Sequence, residues 1–251
     1  MVEKKTRRIL NSRKAIISLL KILIFIPARG GSKGIPGKNL VELNGKPLIQ
    51  YTLETTLDLI TNKTIEWIPF ISTDDEKIAT FCRNQGFNLE YKRPKELSGD
   101  KSPMMEAIWD ALKWLEQNKN LTPNAVLLLQ PTSPLRKETE IIKAIKQAEN
   151  EEDFSIVSVT RMREHPFECI ETNENGWSFL SKPDNKSPGR QGYNDNFFFI
   201  DGSFYFASIG FLIKNKTFLI EDKTQFHILN QLWPIDIDDQ EDLAVAEFFL
   251  R

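Results

Sequence analysis

Apolar positions along this chain repeat with two periods. Continuous apolar runs of strand length occur at 21–26, 66–71, 88–91, 125–129 and 154–159, and segments of helical period lie between them. Leu48, Tyr51, Leu53, Thr55 and Leu59 predict a helix over 47–59. A second helix, over 75–85, follows the turn at Asp74 and stops at Gly86, a residue suited to a left-handed C-terminal cap. A third, over 103–117, opens on Pro103 and carries Met104, Ile108, Leu112 and Leu115 at helical spacing, and a fourth covers 137–150. This alternation predicts an α/β fold with a mainly parallel, Rossmann-like sheet flanked by helices.

From Arg161 to Asn196 the pattern breaks at Pro166, Pro183, Pro188 and Gly189, leaving only a short strand-like piece around Trp177 and Phe179. This stretch reads as an excursion from the sheet. Strand character resumes at Gly202–Ser208, and the closing WPIDIDDQEDLAVAEFFL reads as a short strand that delivers acids to its end, then a helix. The expectation is one domain over 21–251 with a projecting insertion at 161–196, preceded by an extension over 1–20.

Charge changes this picture at one place. The 33 basic and 35 acidic residues nearly cancel, to a net −2, so nothing global calls for a nucleic-acid partner. Residues 1–21 nevertheless hold Lys4, Lys5, Arg7, Arg8, Arg13, Lys14 and Lys21 against Glu3 alone. A basic start before an apolar run is the order of a secretory signal, but Lys21 interrupts the run and no small-residue cleavage site follows. No apolar stretch reaches the length of a membrane span, and Cys82 and Cys169 are too far apart in sequence to suggest a metal or redox pair. A cytoplasmic protein is expected.

Chemistry concentrates at strand ends. Ile26-Pro-Ala-Arg-Gly-Gly-Ser-Lys-Gly-Ile-Pro-Gly-Lys-Asn39 is a Gly-rich loop at the C-terminal end of the first strand, where open α/β sheets bind ligands. Its backbone N–H groups can approach phosphate closely, and Arg29, Lys33 and Lys38 place three cations within ten residues, which suits a polyphosphate. It is not a Walker A loop, because Ser32 and Asn39 stand where that motif needs Gly and Ser/Thr. It is not a dinucleotide fingerprint either, because no two of its glycines are two apart. In Ile235-Asp236-Ile237-Asp238, alternation sends both carboxylates to one side, a costly arrangement unless a cation sits between them, and Mg²⁺ favours such hard oxygens together with substrate phosphates. Asp239 reads as the cap of the last helix, and Ser72-Thr73-Asp74 as the cap of an earlier one. Gln130 and the hydroxyls of LLLQPTSPLR end a buried strand and can hydrogen-bond a ligand. His165 and His227 have no companion at catalytic or metal spacing.

Together the loop PARGGSKGIPGKN, ISTDDEKIA, RPKELSGD, LLLQPTSPLR, Arg190-Gln191, DGSFYFA and IDIDDQEDL resemble the acylneuraminate cytidylyltransferases in order and near their spacing, over roughly residues 21–250. The resemblance implies a nucleotidyltransferase sheet with CTP at the Gly-rich loop, around Ala28, Arg29, Gly30, Gly31, Ser32, Lys33 and Asn39. Arg29 and Lys33 would serve the phosphates, and Asp236 and Asp238 a Mg²⁺ or Mn²⁺ ion. Gln130, Arg190, Gln191 and Phe218 would meet the sugar acid, and the 161–196 insertion would be a dimerisation element of a homodimer. The implied reaction is attack of the sugar acid's anomeric hydroxyl on the α-phosphorus of CTP, with pyrophosphate leaving. Phe199 departs from the family, some of whose members carry a basic residue there, and 1–20 has no counterpart in its core. A cytidylyltransferase for the eight-carbon acid Kdo and a CTP-binding module without turnover are the competing readings.

Overall fold

The apolar run Lys21–Pro27 forms strand β1, flanked on both sides by parallel neighbours and therefore apolar on both faces. The computed structural model describes residues 20–149, 151–181, 196–230 and 235–250. After β1, a two-residue turn joins β2 (Glu42–Leu43) to β3 (Lys46–Pro47). Asn44 and Gly45 both have positive φ there, as a tight hairpin requires. Then follow α1 (Leu48–Ile60), β4 (Glu66–Ser72), α2 (Glu76–Asn84), α3 (Met104–Lys119), β5 (Ala125–Leu128), α4 (Glu138–Gln147) and β6 (Ser155–Arg161). The remainder comprises β7 (Ile170–Asn173), β8 (Gly176–Phe179), β9 (Phe198–Ser208), α5 (Ile209–Asn215), β10 (Gln225–Ile228) and α6 (Gln240–Phe249).

The main sheet has the order β10-β6-β9-β5-β1-β4. β9 runs antiparallel to both β5 and β6, and every other pairing is parallel, so the expected parallel sheet is a mixed one with a single reversed strand. β9 lies beside β6 with Phe198 opposite Arg161, so the two strands pair antiparallel and β9 is the reversed one. Period-two alternation in β1 sends Ile22, Ile24 and Ile26 to one face, where α1, α2 and α4 pack, and Leu23 and Phe25 to the other, against α3 and α5. A third cluster of Ile35, Leu43, Leu48, Ile235, Ile237 and Leu243 joins the Gly-rich loop to α6. No helix among the described residues is long and apolar enough to cross a membrane.

Two expected strands are absent, the short one at 235–238 among them. Residues 88–91 form no ladder with β4. Tyr91 instead turns into the core against Phe70 and Trp114, with ring centroids at 4.8 and 5.8 Å, and its hydroxyl donates to Asp110. Aromatic packing thus takes the place of the ladder.

Candidate active site

The chain leaves β1 at Pro27 and passes over the carboxyl ends of β4 and β5. Ala28 is fully buried and donates its N–H to the Ser72 carbonyl (2.9 Å). The Gly30 N–H donates to Asp74 Oδ1 (3.0 Å), so Asp74 orients the loop and Asp75 caps α2, accepting from Lys77 and Ile78. The cap expected at Asp74 is therefore one residue later, because the Gly-rich loop claims the first carboxylate. The Asn39 amide is buried and donates to the Arg29 carbonyl (2.9 Å), stapling the loop closed. Gly37, at φ 64°, supplies the left-handed turn before it.

This loop walls a cleft of about 590 Å³, whose lining includes Arg29, Ser32, Lys33, Lys38, Arg93, Asp100, Gln130 and Asp238. Gly31 adjoins Ser32 with open space where a side chain would begin. Lys38 reaches across the cleft, donating to the Ile237 carbonyl (2.8 Å) and to Asp238 Oδ1 (2.9 Å). Residues 235–239 form no strand, yet the alternation holds: Ile235 and Ile237 are buried, and Asp236 and Asp238 are outside. The Ile237 N–H donates to the Thr132 carbonyl (2.8 Å), which fixes both acids beside the strand-end loop at 130–133. Gly34 touches this segment. A Cβ built there would stand 2.1 Å from the Asp238 carbonyl oxygen, so Gly34→Ala is expected to push loop and acids apart. Overpacking of this kind costs about 1–3 kcal/mol, and a loss of polyphosphate affinity of about tenfold, measured by titration calorimetry, is expected.

The two acids differ in surroundings. Asp238 is exposed and pairs with Lys38, and the Asp236 carboxylate lies beside Gly202, as does the Ser133 hydroxyl. Although Asp236 is exposed as a residue, the protein around its carboxyl partly desolvates it and raises its pKa, and the nearby Asp238 adds to this, against a Thr132 hydrogen bond and the charges of Lys38 and Arg136. Mutual repulsion of two carboxylates with hard oxygens is what a divalent cation relieves, so the donor set fits Mg²⁺ with its remaining ligands drawn from phosphate. Among the described residues no group of three or more acidic, His or Cys side chains could hold a metal alone.

Gln130 lines the cleft. Phe218 does not: it is buried on the α3/α5 face and tilted against Tyr205, with ring centroids 5.6 Å apart. Its carbonyl accepts from Ser155 and Thr224, and the left-handed turn at Lys216 that ends α5 turns the chain inward there. Arg190 and Gln191 lie outside the described residues. His227 is a buried core residue between Glu140 (2.9 Å) and Gln147 (3.2 Å).

Arg93 is a site residue without a role in the sequence reading. Nine-tenths or more of it is buried; Nε donates to Ser72 Oγ (2.8 Å), and NH2 has no partner. A signal existed, since Phe87, Leu89, Tyr91 and Arg93 alternate onto the inner side and carry a guanidinium to where apolar groups belong. Asp100 was likewise missed; it pairs with Arg29 (2.9 Å) and Lys33 (2.7 Å).

Known proteins resemble this chain in sequence and in fold. Residues 23–188 match the family model described as Cytidylyltransferase. A CMP-N,N'-diacetyllegionaminic acid synthase from Legionella pneumophila is 34% identical over 230 residues, covering 91% of this chain and 95% of that protein. An N-acylneuraminate cytidylyltransferase from Streptococcus agalactiae is 28% identical over 89% of this chain, which spans only 52% of that longer protein. A solved CMP:2-keto-3-deoxy-manno-octonic acid synthetase complexed with CTP superposes with a TM-score of 0.65 at 14% identity, covering 92% of this chain and 98% of that one, a likeness of fold.

Proposed function

The chain belongs to the acylneuraminate cytidylyltransferase family of nucleotidyltransferases, and from that premise we propose that it transfers CMP from CTP to the anomeric hydroxyl of a nonulosonic, sialic-type acid. The observation that carries this reading is the convergence in one cleft of Arg29 and Lys33 with an unpaired, buried Arg93 donor. A polyphosphate meets the first two, and the acceptor edge of a pyrimidine base satisfies the third.

In this reaction the attacking hydroxyl oxygen forms a bond to the α-phosphorus in line as the bond to the β-phosphate oxygen breaks, and pyrophosphate leaves. Arg29 and Lys33 hold the departing phosphates and offset the charge that grows on them. Asn39 and Asp74 keep the loop backbone in place for this work. Gln130 orients the sugar acid beside the nucleotide, with Arg190 and Gln191 as further contacts. Asp236 and Asp238 would hold Mg²⁺ or Mn²⁺, which would supply positive charge for the phosphate oxygens and lower the pKa of the attacking hydroxyl. Lys38, braced between Ile237 and Asp238, sets the distance between loop and acids.

Pyrophosphate release by the purified protein with Mg²⁺ tests the reading, with CTP compared against ATP, GTP and UTP. The acids to offer are N,N'-diacetyllegionaminate, N-acetylneuraminate, pseudaminate and Kdo, the first because a relative of matching length at 34% identity bears its name. Release with CTP and a nine-carbon acid is expected. Release with Kdo alone points to the eight-carbon reading, and CTP binding without release with any acid points to a non-catalytic module. CTP supply puts the reaction in the cytoplasm.

A homodimer built on the 161–196 insertion belongs to the same proposal. The hairpin β7–β8 exposes Ile170, Trp177 and Phe179, with Leu180 beside them, and Trp177 is 63% exposed. Apolar surface of this kind on a projecting element marks an association face. Trp177→Arg is expected to turn a dimer into a monomer in sedimentation or light scattering; an unchanged mass would remove the hairpin from the interface.

A further inference from the structure

The cations of the Gly-rich loop already have an anion. Arg29 NH1 lies 2.9 Å from Asp100 Oδ1, and Lys33 Nζ lies 2.7 Å from Asp100 Oδ2, so one carboxylate divides its two oxygens between the two groups assigned to phosphate. Lys33 is otherwise open to solvent, its side chain 81% exposed. Lys38, the third cation, is occupied separately by Ile237 and Asp238.

Asp100 stands on a turn that is closed upon itself. The Ser102 N–H donates to the Gly99 carbonyl (3.1 Å), the Gly99 N–H donates to Ser102 Oγ (3.2 Å), and that hydroxyl donates to the Glu96 carbonyl (2.8 Å). None of these bonds uses the Asp100 side chain. The carboxylate can therefore leave the two cations by rotating its own bonds, with the turn and the sheet unmoved.

We propose that Asp100 is an internal counter-anion that occupies the pyrophosphate end of the nucleotide site, is displaced when CTP enters, and returns to Arg29 and Lys33 as pyrophosphate leaves. This rests on the reading of Arg29 and Lys33 as the phosphate cations. A carboxylate and a phosphate cannot share the same two donors, and their like charges repel. Only the fraction of molecules with Asp100 swung away is then competent to bind, and the apparent dissociation constant rises by the reciprocal of that fraction. Partly exposed ion pairs are individually weak, so the expected effect is roughly three- to tenfold. It is confined to ligands that reach Arg29 and Lys33. Asp100 thereby acts as a positioning residue that weakens the hold on a product which must leave.

The test compares wild-type protein with Asp100→Asn by titration calorimetry at fixed ionic strength, using inorganic pyrophosphate, CTP and CMP in turn. In the variant, the dissociation constants for pyrophosphate and CTP are expected to fall roughly three- to tenfold, and that for CMP to stay within about twofold. Product inhibition by pyrophosphate should strengthen in step, and Asp100→Glu, which keeps the anion, should stay near wild type. A purely structural turn would move CMP along with the others. Unchanged or weaker pyrophosphate binding overturns the proposal, and Asp100→Ser carries the same test if the asparagine variant folds poorly. If Arg29→Ala with Lys33→Ala abolishes pyrophosphate binding but Asp100→Asn leaves it unchanged, the loop reading stands and this one falls. If wild-type protein binds no pyrophosphate at that loop, both fall.

Discussion

Replacement of Asp238 by asparagine is expected to lower turnover by about 10²-fold or more and to leave the melting temperature close to that of the unmodified protein. The asymmetry follows from where the carboxylate stands. Its side chain is 80% exposed and touches the protein through Lys38 at 2.9 Å, an ion pair that contributes little to stability in such a setting. The neighbouring fold contacts do not pass through it: the Asp238 N–H donates to Asp242, Asp239 caps α6, and Ile237 fills the core. Asparagine keeps the shape and one oxygen but removes the charge that would draw a divalent cation towards the phosphates. Turnover at saturating Mg²⁺, measured beside thermal unfolding, decides the matter. A loss under about threefold would falsify the assignment of this acid to the metal.

The second large effect runs the other way, through stability. Arg136 is buried, and its fork reaches three elements: Nε donates to the Ser203 carbonyl of β9 (2.7 Å), NH1 to Thr52 Oγ1 of α1 (2.7 Å), and NH2 to the Gln130 carbonyl after β5. Burial pulls its pKa down to about 9, against the opposing pull of Asp236 and Asp201, so it remains a cation at neutral pH. Arg136→Met would take one donor away from each of three acceptors and remove a compensating charge from beside Asp236 and Asp201. Breaking a buried charged network from one side costs about 3–5 kcal/mol. For a chain of this size each kcal/mol lowers the melting temperature by roughly 2–4 °C, so a drop of about 6–20 °C is expected in a calorimetric scan. Arg136→Lys keeps the charge but cannot span the three acceptors, and should recover only part of the loss. A melting temperature within about 2 °C of wild type for the methionine variant would show that the network contributes little. Gln130 shares the same anchor, so activity is expected to fall together with stability.

Much of the architecture was legible because it rests on local periodicity. Ile22, Ile24 and Ile26 against Leu23 and Phe25 already imply a strand buried on two sides, and the helices at 48–60, 76–84 and 104–119 follow from their apolar stripes and stop signals. The Gly-rich loop was visible because glycines and cations crowd a strand end, and Asp236 and Asp238 because isoleucines alternate with them. Residues 88–91 were misread because strand propensity says nothing about whether a partner stands beside the segment; Tyr91 found better contacts with Phe70 and Trp114. Phe218 lies in the core and not in the lining of the cleft, a difference the sequence does not carry, because an aromatic residue looks the same in a core as in a binding site.

By itself, the sequence determined most strands of the main sheet and its longer helices, the place of the Gly-rich loop and the pair of acids, since each depends on residues close together in the chain. Only the tertiary structure decided that β9 runs against its neighbours, that Asp74 serves the loop while Asp75 caps the helix, and that Arg93 and Asp100 face the same cleft as Arg29. Arg29 and Asp100 lie far apart in the chain and 2.9 Å apart in space, and Lys38 and Asp238 are separated by 200 residues and also by 2.9 Å. Pairings of this kind are set by how the sheet brings its strand ends together, and no local pattern of residues encodes them.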